Sequence, residues 1–196
     1  MGQEIEYKLR AENEAALFSV YERLKSTGSV SEERRISMHT RYLDTPERFL
    51  RANRVTLRIR QENDVQVITV KTPGINHVRG EWNLKRVCDT PFPQREEICA
   101  LVNEGAPKLL LMLPSFFVTC EAVFIRTCCM LTLPEGTRIE LAADVGELAG
   151  KTERQSLCEL ELELYGGSPE QLARLASMTG LPEELKSKQF RALHLK

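Results

Sequence analysis

In the stretch Glu159-Leu160-Glu161-Leu162-Glu163-Leu164, charged and apolar residues alternate without a break. A β-strand sends successive side chains to opposite faces, so the leucines share one face and the glutamates the other. Like charges then sit about 7 Å apart along one strand face, which is tolerable in water and costly when enclosed. Any fold for this chain has to bury the leucine face and deal with the glutamate face.

The same period of two recurs along the chain. Near the N-terminus Glu4, Glu6, Lys8 and Arg10 oppose Ile5, Tyr7 and Leu9. Over residues 53–61, Val55, Leu57 and Ile59 oppose Thr56, Arg58 and Arg60. A hairpin turn at Glu62-Asn63-Asp64 leads into 64–72, which carries Thr69 and Lys71 on one face. After a polar loop, Gly74 to Gly80, the residues Glu81, Asn83 and Lys85 alternate with Trp82, Leu84 and Arg86. Residues 116–133 form a long β-rich stretch containing Arg126. Past the turn at 134–137, Arg138, Glu140, Ala142 and Asp144 oppose Ile139, Leu141 and Ala143, and Val145 to Leu148 can extend that strand.

A few helices are expected between them. Residues 12–26 carry Ala15, Ala16, Leu17, Val20, Tyr21 and Leu24 at helical spacing, with Asn13 as N-cap and Gly28 just past the end. Pro46 opens a short helical turn through Leu50, residues 93–103 and 105–112 read as two short helices, and Ser168-Pro169-Glu170 starts another. About eight strands in antiparallel-type order and about four helices predict one α+β domain over residues 1–196, dominated by a sheet or barrel.

The 27 basic and 28 acidic residues leave a net charge of -1, which gives no general attraction to nucleic acid or membrane. The segregation of those charges matters more than their sum. Six cysteines without a CxxC pair, together with no signal peptide at the N-terminus, predict reduced thiols in a cytoplasmic protein. Cys128 and Cys129 face opposite ways on one strand and read as packing residues. His39, His77 and His194 are too scattered for a zinc site or a catalytic dyad.

The polar strand faces are charged where serine, threonine and amides would suffice for solvent. If a closed barrel encloses them, divalent cations are the natural compensation for the acids, since magnesium and manganese take hard oxygen ligands. Arg58, Arg60, Lys71 and Lys8 would then meet phosphate oxygens, arginine as a fork and lysine as a point charge. Eight strands enclose an interior wide enough for one slender ligand. An open sheet with a solvated charged face is the competing reading.

Glu4-Ile5-Glu6-Tyr7-Lys8 resembles the ExExK signature of the CYTH domain, or triphosphate tunnel metalloenzyme, superfamily. Tyr42-Leu43-Asp44-Thr45-Pro46 is similar to that family's Tyr-Phe-Asp-Thr turn, Leu57-Arg58-Ile59-Arg60 to its Leu-Arg-Ile-Arg strand, and Thr69-Val70-Lys71 and Glu81-Trp82 to the strands that follow. Arg126, the Glu140–Asp144 strand, Glu159-Leu160-Glu161 and a Ser187-Lys188 element with Arg191 come in family order. Arg191-Ala192-Leu193 departs from the family's Arg-Gly-Tyr-type ending.

The resemblance implies an eight-stranded antiparallel β-barrel tunnel with helices packed outside. It implies a triphosphate-containing small molecule bound lengthwise with Mg2+ or Mn2+. Glu4, Glu6, Glu159 and Glu161 would hold a first metal, with Glu163 continuing that row. Glu81 and Asp144 would serve a second metal or position water. Arg58, Arg60, Lys71, Arg126 and Lys188 would grip phosphate oxygens, and Lys8 would stand between acids and phosphates. Glu140 and Lys85 share the inward parity. The activity implied is metal-dependent triphosphate hydrolysis, with inorganic triphosphate preferred. Class IV adenylyl cyclase, thiamine triphosphatase and a non-catalytic polyphosphate-binding module are the alternatives. An organic substrate would need a seat at the tunnel mouth, for which Trp82 and Tyr42 are the sequence candidates.

Overall fold

A computed structural model describes residues 2–74, 78–86 and 90–195, and the side chains of residues 2–4, 78 and 79 fall outside that description; His77 and Cys88 lie outside it altogether. The strands are β1 (Gly2–Arg10), β2 (Ser29–Val30), β3 (Arg34–Asp44), β4 (Thr56–Glu62), β5 (Val65–Lys71), β6 (Val78–Arg86), β7 (Phe117–Thr132), β8 (Arg138–Ala149) and β9 (Arg154–Gly166). The helices are α1 (Glu14–Lys25), α2 (Phe49–Ala52), α3 (Arg95–Asn103), α4 (Pro169–Met178) and α5 (Lys188–Leu193), with a 3-10 turn at Lys108–Met112.

The strands pair antiparallel in the order β7-β3-β4-β5-β6-β1-β9-β8, and β8 pairs back on β7, so eight strands close into a ring. The two-residue β2 extends the edge of β7 beyond the end of β3. Closure gives the sheet an inside and an outside, and the alternation seen in the sequence sorts residues between them. Between β7 and β8, Gly146 leaves room for its neighbour, since a Cβ there would stand 2.2 Å from the Val123 carbonyl oxygen.

Outside, two helical layers cover two sectors of the ring. Leu17, Tyr21 and Leu24 of α1 and Leu172 and Leu175 of α4 bury against Leu141, Leu160 and Leu162, so the leucine face of β9 is the floor of this core. Across the barrel, Ile98 and Leu101 of α3 and Leu110 of the 3-10 turn bury against Leu57, Ile59, Ile68 and Trp82. Burying a leucine side chain is worth about 1.5–3 kcal/mol, so these faces hold the outer layers in place.

The caps follow their local chemistry. Asn13 accepts a hydrogen bond from the Ala16 N–H, and Ser168, one residue before Pro169, accepts from Gln171. The short helix expected from Pro46 starts instead at Phe49. Arg48 takes a left-handed φ of 58°, and the buried Asp44 carboxylate accepts from the N–H groups of Thr45, Leu50 and Arg51. Asp44 thus spends its charge on the helix start, where the orphan N–H groups lie.

A third cluster lies inside the ring. Tyr42, Cys120, Ala122, Phe124, Leu148 and Leu157 fill part of one end, and Ala192 of α5 buries among them. Ser187 caps α5 by accepting from Phe190. The last helix therefore narrows that end of the barrel. Among the described residues, no helix is long and apolar enough to cross a membrane.

Candidate functional site

Two cavities open from opposite ends of the ring, about 260 and 670 Å3 in volume, and they share Arg58, Arg60, Glu81, Arg126 and Glu163 as a common wall. A passage through the barrel with charged walls is the result. Tyr42, Thr56, Lys71 and the α5 residues Lys188 and Gln189 line the smaller end, where Thr56 donates to Gln189 at 2.6 Å. Arg34, Lys85 and Tyr165 line the larger.

Strand register decides what each charge meets. Arg58 sits between Tyr42 on β3 and Thr69 on β5, and Arg60 between Thr40 and Val67. No cross-strand neighbour of either arginine is an acid. Their nearest carboxylates are more distant, Glu81 at 4.0 Å from Arg58 and Glu62 at 3.4 Å from Arg60. Both Nε atoms are buried without a hydrogen-bond partner among the described residues. A buried unsatisfied donor costs about 1–3 kcal/mol, and a bound oxyanion removes that cost. Burial, helped by Arg58 and Arg126, pulls the Arg60 guanidinium down to about 10, still charged at neutral pH. Lys71 is held at 2.8 Å by Glu81, its partner across β5 and β6.

The acids follow the opposite logic. Glu6 on β1 pairs across strands with Glu163 on β9, which pairs with Glu140 on β8, so three acids stand in one row. Like charges directly opposite one another destabilise a sheet. Lys8 reaches Glu6 at 3.3 Å and Arg34 reaches Glu140 at 3.1 Å. Burial is the main influence on Lys8 and lowers its ammonium below the ordinary range. It also raises the Glu140 carboxyl.

Asp144, Glu159 and Glu161 converge, with one oxygen from each within 4.8 Å of the others. Lys188 Nζ sits among all three, 2.9 Å from Asp144 and 2.7 Å from Glu161, and also bonded to Glu159. Arg126 grips Asp144 through two bonds of 2.8 and 2.7 Å and also meets Glu161. Arg191 meets Glu159. Three acids thus face three bases. Burial pushes Glu161 up, but Lys188 and Arg126 outweigh it and hold this carboxylate well below its usual range. Asp144, Glu159 and Glu161 hold the Lys188 ammonium above its own range, against the pull of burial.

This geometry sorts the residues singled out in the sequence. Glu6, Lys8, Arg58, Arg60, Lys71, Glu81, Arg126, Glu161 and Lys188 line the smaller cavity. Glu159 and Asp144 are fully buried and line neither cavity; they face the α5 cluster. Glu4 lies on β1, and its side chain is outside those described. Trp82 faces the outer core and donates to the Glu104 carbonyl, so it is no part of the mouth. Cys128 lines the larger cavity while Cys129, hydrogen-bonded by Tyr21, packs outside. Sequence reasoning missed Arg54, Gln189 and Tyr165; Arg54 shares the parity of Arg58 and Arg60, and Tyr165 that of Glu159, Glu161 and Glu163, the signal that could have found those two.

The donor chemistry fits a divalent cation. Glu6, Glu161 and Glu163 offer hard carboxylate oxygens to the smaller cavity from neighbouring strands, and an acid row of this kind is relieved by a cation.

A CYTH domain family model matches residues 2–190. The chain belongs to the CYTH domain family. An inorganic triphosphatase of Haemophilus influenzae is 29% identical over 177 residues, covering 88% of this chain and 48% of that protein. The chain therefore spans about half the length of that curated relative. A solved protein of Pyrococcus horikoshii superposes with a TM-score of 0.58 at 20% identity, covering 97% of this chain and 98% of the other. A candidate adenylyl cyclase from Hippeastrum, described as having a dominant triphosphatase activity, gives 0.57 at 19% identity, covering 98% and 100%. These likenesses show that the barrel is the CYTH fold, the eight-stranded tunnel with helices outside that the sequence implied.

Proposed function

We propose that this CYTH chain hydrolyses triphosphates with the help of Mg2+ or Mn2+, with inorganic triphosphate as the preferred substrate. The observation that carries the reading is the pair of buried, unsatisfied arginine Nε atoms on the common wall of the two cavities. The Haemophilus relative's name supports the same activity. Five free thiols among the described residues fit a reducing compartment such as the cytoplasm.

Arg58, Arg60 and Lys71 bind the phosphate oxygens, arginine bidentately and lysine as a point charge. Glu6 and Glu161, with Glu4 and Glu163 beside them, would hold the divalent ion. Bound there, the metal neutralises phosphate charge and polarises the phosphoryl group. Asp144 and Glu159 act from behind this set. They hold Arg126 and Lys188, whose positive charges then face the phosphate chain at fixed positions. Glu81 fixes the Lys71 ammonium and stands where it can orient a water. Lys8, pressed between Glu6 and the basic wall, links the acid and phosphate sides. Attack at a terminal phosphorus gives phosphate and diphosphate without a covalent nucleophile. Preorganised charge of this kind is the main catalytic resource in phosphoryl transfer.

Phosphate release from inorganic triphosphate, ATP and thiamine triphosphate, with Mg2+ or Mn2+, tests the proposal. Cyclic AMP is measured in the ATP arm, because class IV cyclases share the tunnel. Release from inorganic triphosphate with the highest kcat/KM is expected. Tight polyphosphate binding without release from any substrate would make the chain a binding module.

A further inference from the structure

Glu81 is held from both sides. Lys71, its partner across β5 and β6, donates to Oε2 at 2.8 Å. Asn83, two residues along β6 and on the same face, donates through Nδ2 to Oε1 at 2.9 Å. Asn83 is held in turn by Thr69, its own partner on β5, whose hydroxyl donates to Oδ1 at 2.7 Å. The direction of these bonds is forced. A carboxylate oxygen only accepts, so Asn83 turns its NH2 group to Glu81, and its remaining carbonyl oxygen can only accept from the Thr69 hydroxyl.

The β5–β6 ladder already sets the register of these residues, so this chain of side chains is not needed to pair the strands. It runs along the tunnel wall instead. Thr69 and Asn83 line the larger cavity, Lys71 the smaller, and Glu81 both. Thr69 is 1% exposed, which makes it a fixed anchor. The two Glu81 oxygens therefore have different neighbours. Oε2 belongs to Lys71. Oε1 faces Arg58, 4.0 Å from its guanidinium and beyond hydrogen-bond reach of it.

We propose that Asn83, anchored by Thr69, is a positioning residue that aims Glu81 Oε1 at the water attacking the phosphoryl group held by Arg58. The proposal rests on the reading above that Glu81 orients this water. Without Asn83 the carboxylate stays tethered at Oε2 by Lys71 but turns about its last torsion, whose wells are broad. The charge on the wall is then unchanged while the aim of Oε1 is lost. Substrate binding should hold and the chemical step should slow.

Steady-state hydrolysis of inorganic triphosphate with Mg2+ tests this in Asn83→Leu, Thr69→Val and Thr69→Ser, with Glu81→Ala as the reference. Asn83→Leu is expected to lower kcat about 10- to 100-fold and leave KM within about twofold, since a small misplacement near the reacting atoms costs up to about 10^2. Thr69→Val keeps the Asn83–Glu81 bond but removes its anchor, and should lower kcat about threefold. Thr69→Ser should restore it, and Thr69→Val should add nothing in the Asn83→Leu chain. A raised KM with kcat kept, or additive losses in the double variant, overturns the relay. Unchanged kcat in Glu81→Ala brings down the role given to Glu81 itself. By NMR without substrate, the Asn83 side-chain amide proton donated to Glu81 should lie downfield and return upfield in Glu81→Ala. An unmoved resonance overturns the positioning. A resonance that moves in a chain that hydrolyses no triphosphate brings down the hydrolase reading alone and leaves Asn83 orienting Glu81.

Discussion

The ring carries charge in two places that look alike in the sequence and differ in the structure. Around α5, Asp144, Glu159 and Glu161 are answered by Lys188, Arg126 and Arg191 within the protein. On the common wall of the tunnel, Arg58 and Arg60 have neutral residues across both neighbouring strands and buried Nε atoms with no partner among the described residues. The first set holds a helix; the second is left with donors for a ligand. What separates the two sets is whether partners within the protein complete the charge, as Lys188 and Arg191 of α5 and the cross-strand Arg126 do for the first.

That contrast can be broken most directly at the arginines. Replacing both Arg58 and Arg60 by Ala should lower kcat/KM for inorganic triphosphate by about 10^3 or more, since one lost oxyanion donor already costs about 10^2 to 10^3. The urea midpoint should hold or rise, because two crowded positive charges are relieved. A steady-state assay beside an unfolding curve decides it, and unaltered kinetics would mean that the wall binds no substrate.

Lys188→Met should show the reverse weighting in stability. It leaves three converging carboxylates with two cations, and breaking a buried ionic group by removing one partner costs about 3–5 kcal/mol. Chemical denaturation reads this loss. Adding Glu159→Gln to the Lys188→Met chain should recover part of it, because one of the uncompensated charges goes. An additive double variant would show that the two residues do not share one cluster.

Acidity separates the regions more gently. The Glu161 carboxylate is held below its usual range, so its contribution to stability is complete above the unfolded value of about 4.3 and is lost as pH falls through the folded one. Lys188 is held above its usual range, so its contribution is complete below about 10.4 and is lost as pH rises through the folded value. The contribution of these two groups should therefore be flat between these limits and fall on both sides. In Lys188→Met the alkaline fall attributable to this group should disappear. Urea midpoints measured across the pH range give the curve.

The smallest effect is expected where neither region is touched. Asn13→Ala removes the cap of α1 and should cost about 1 kcal/mol of stability with kcat and KM unchanged. A change in KM from that variant would tie the outer helices to the tunnel.

Much of the frame could be read along the chain. The alternation of β1, β4, β5, β6, β8 and β9 placed charged and apolar faces correctly, and the caps at Asn13 and Ser168 are where their side chains suggest. Other features depended on partners far away in sequence. The helix expected at 105–112 is a 3-10 turn at Lys108–Met112, folded against α3. Asp44, which looks like a plain turn residue, became a buried cap because α2 begins three residues later than Pro46 suggests.

The candidate site divides the same way. Arg58, Arg60, Lys71, Glu6 and Glu161 reach the tunnel as their parity demands. Parity treats Glu159, Glu161 and Glu163 as equivalents, yet Glu159 is sealed against α5, Glu161 faces both the cluster and the cavity, and Glu163 lines both cavities. A repeat of two residues determines which face a side chain takes. Only closure of the ring determines which strands lie beside it and at what register, and Coulomb energy falls so quickly with distance that the neighbour decides whether each charge is a brace or a binding group.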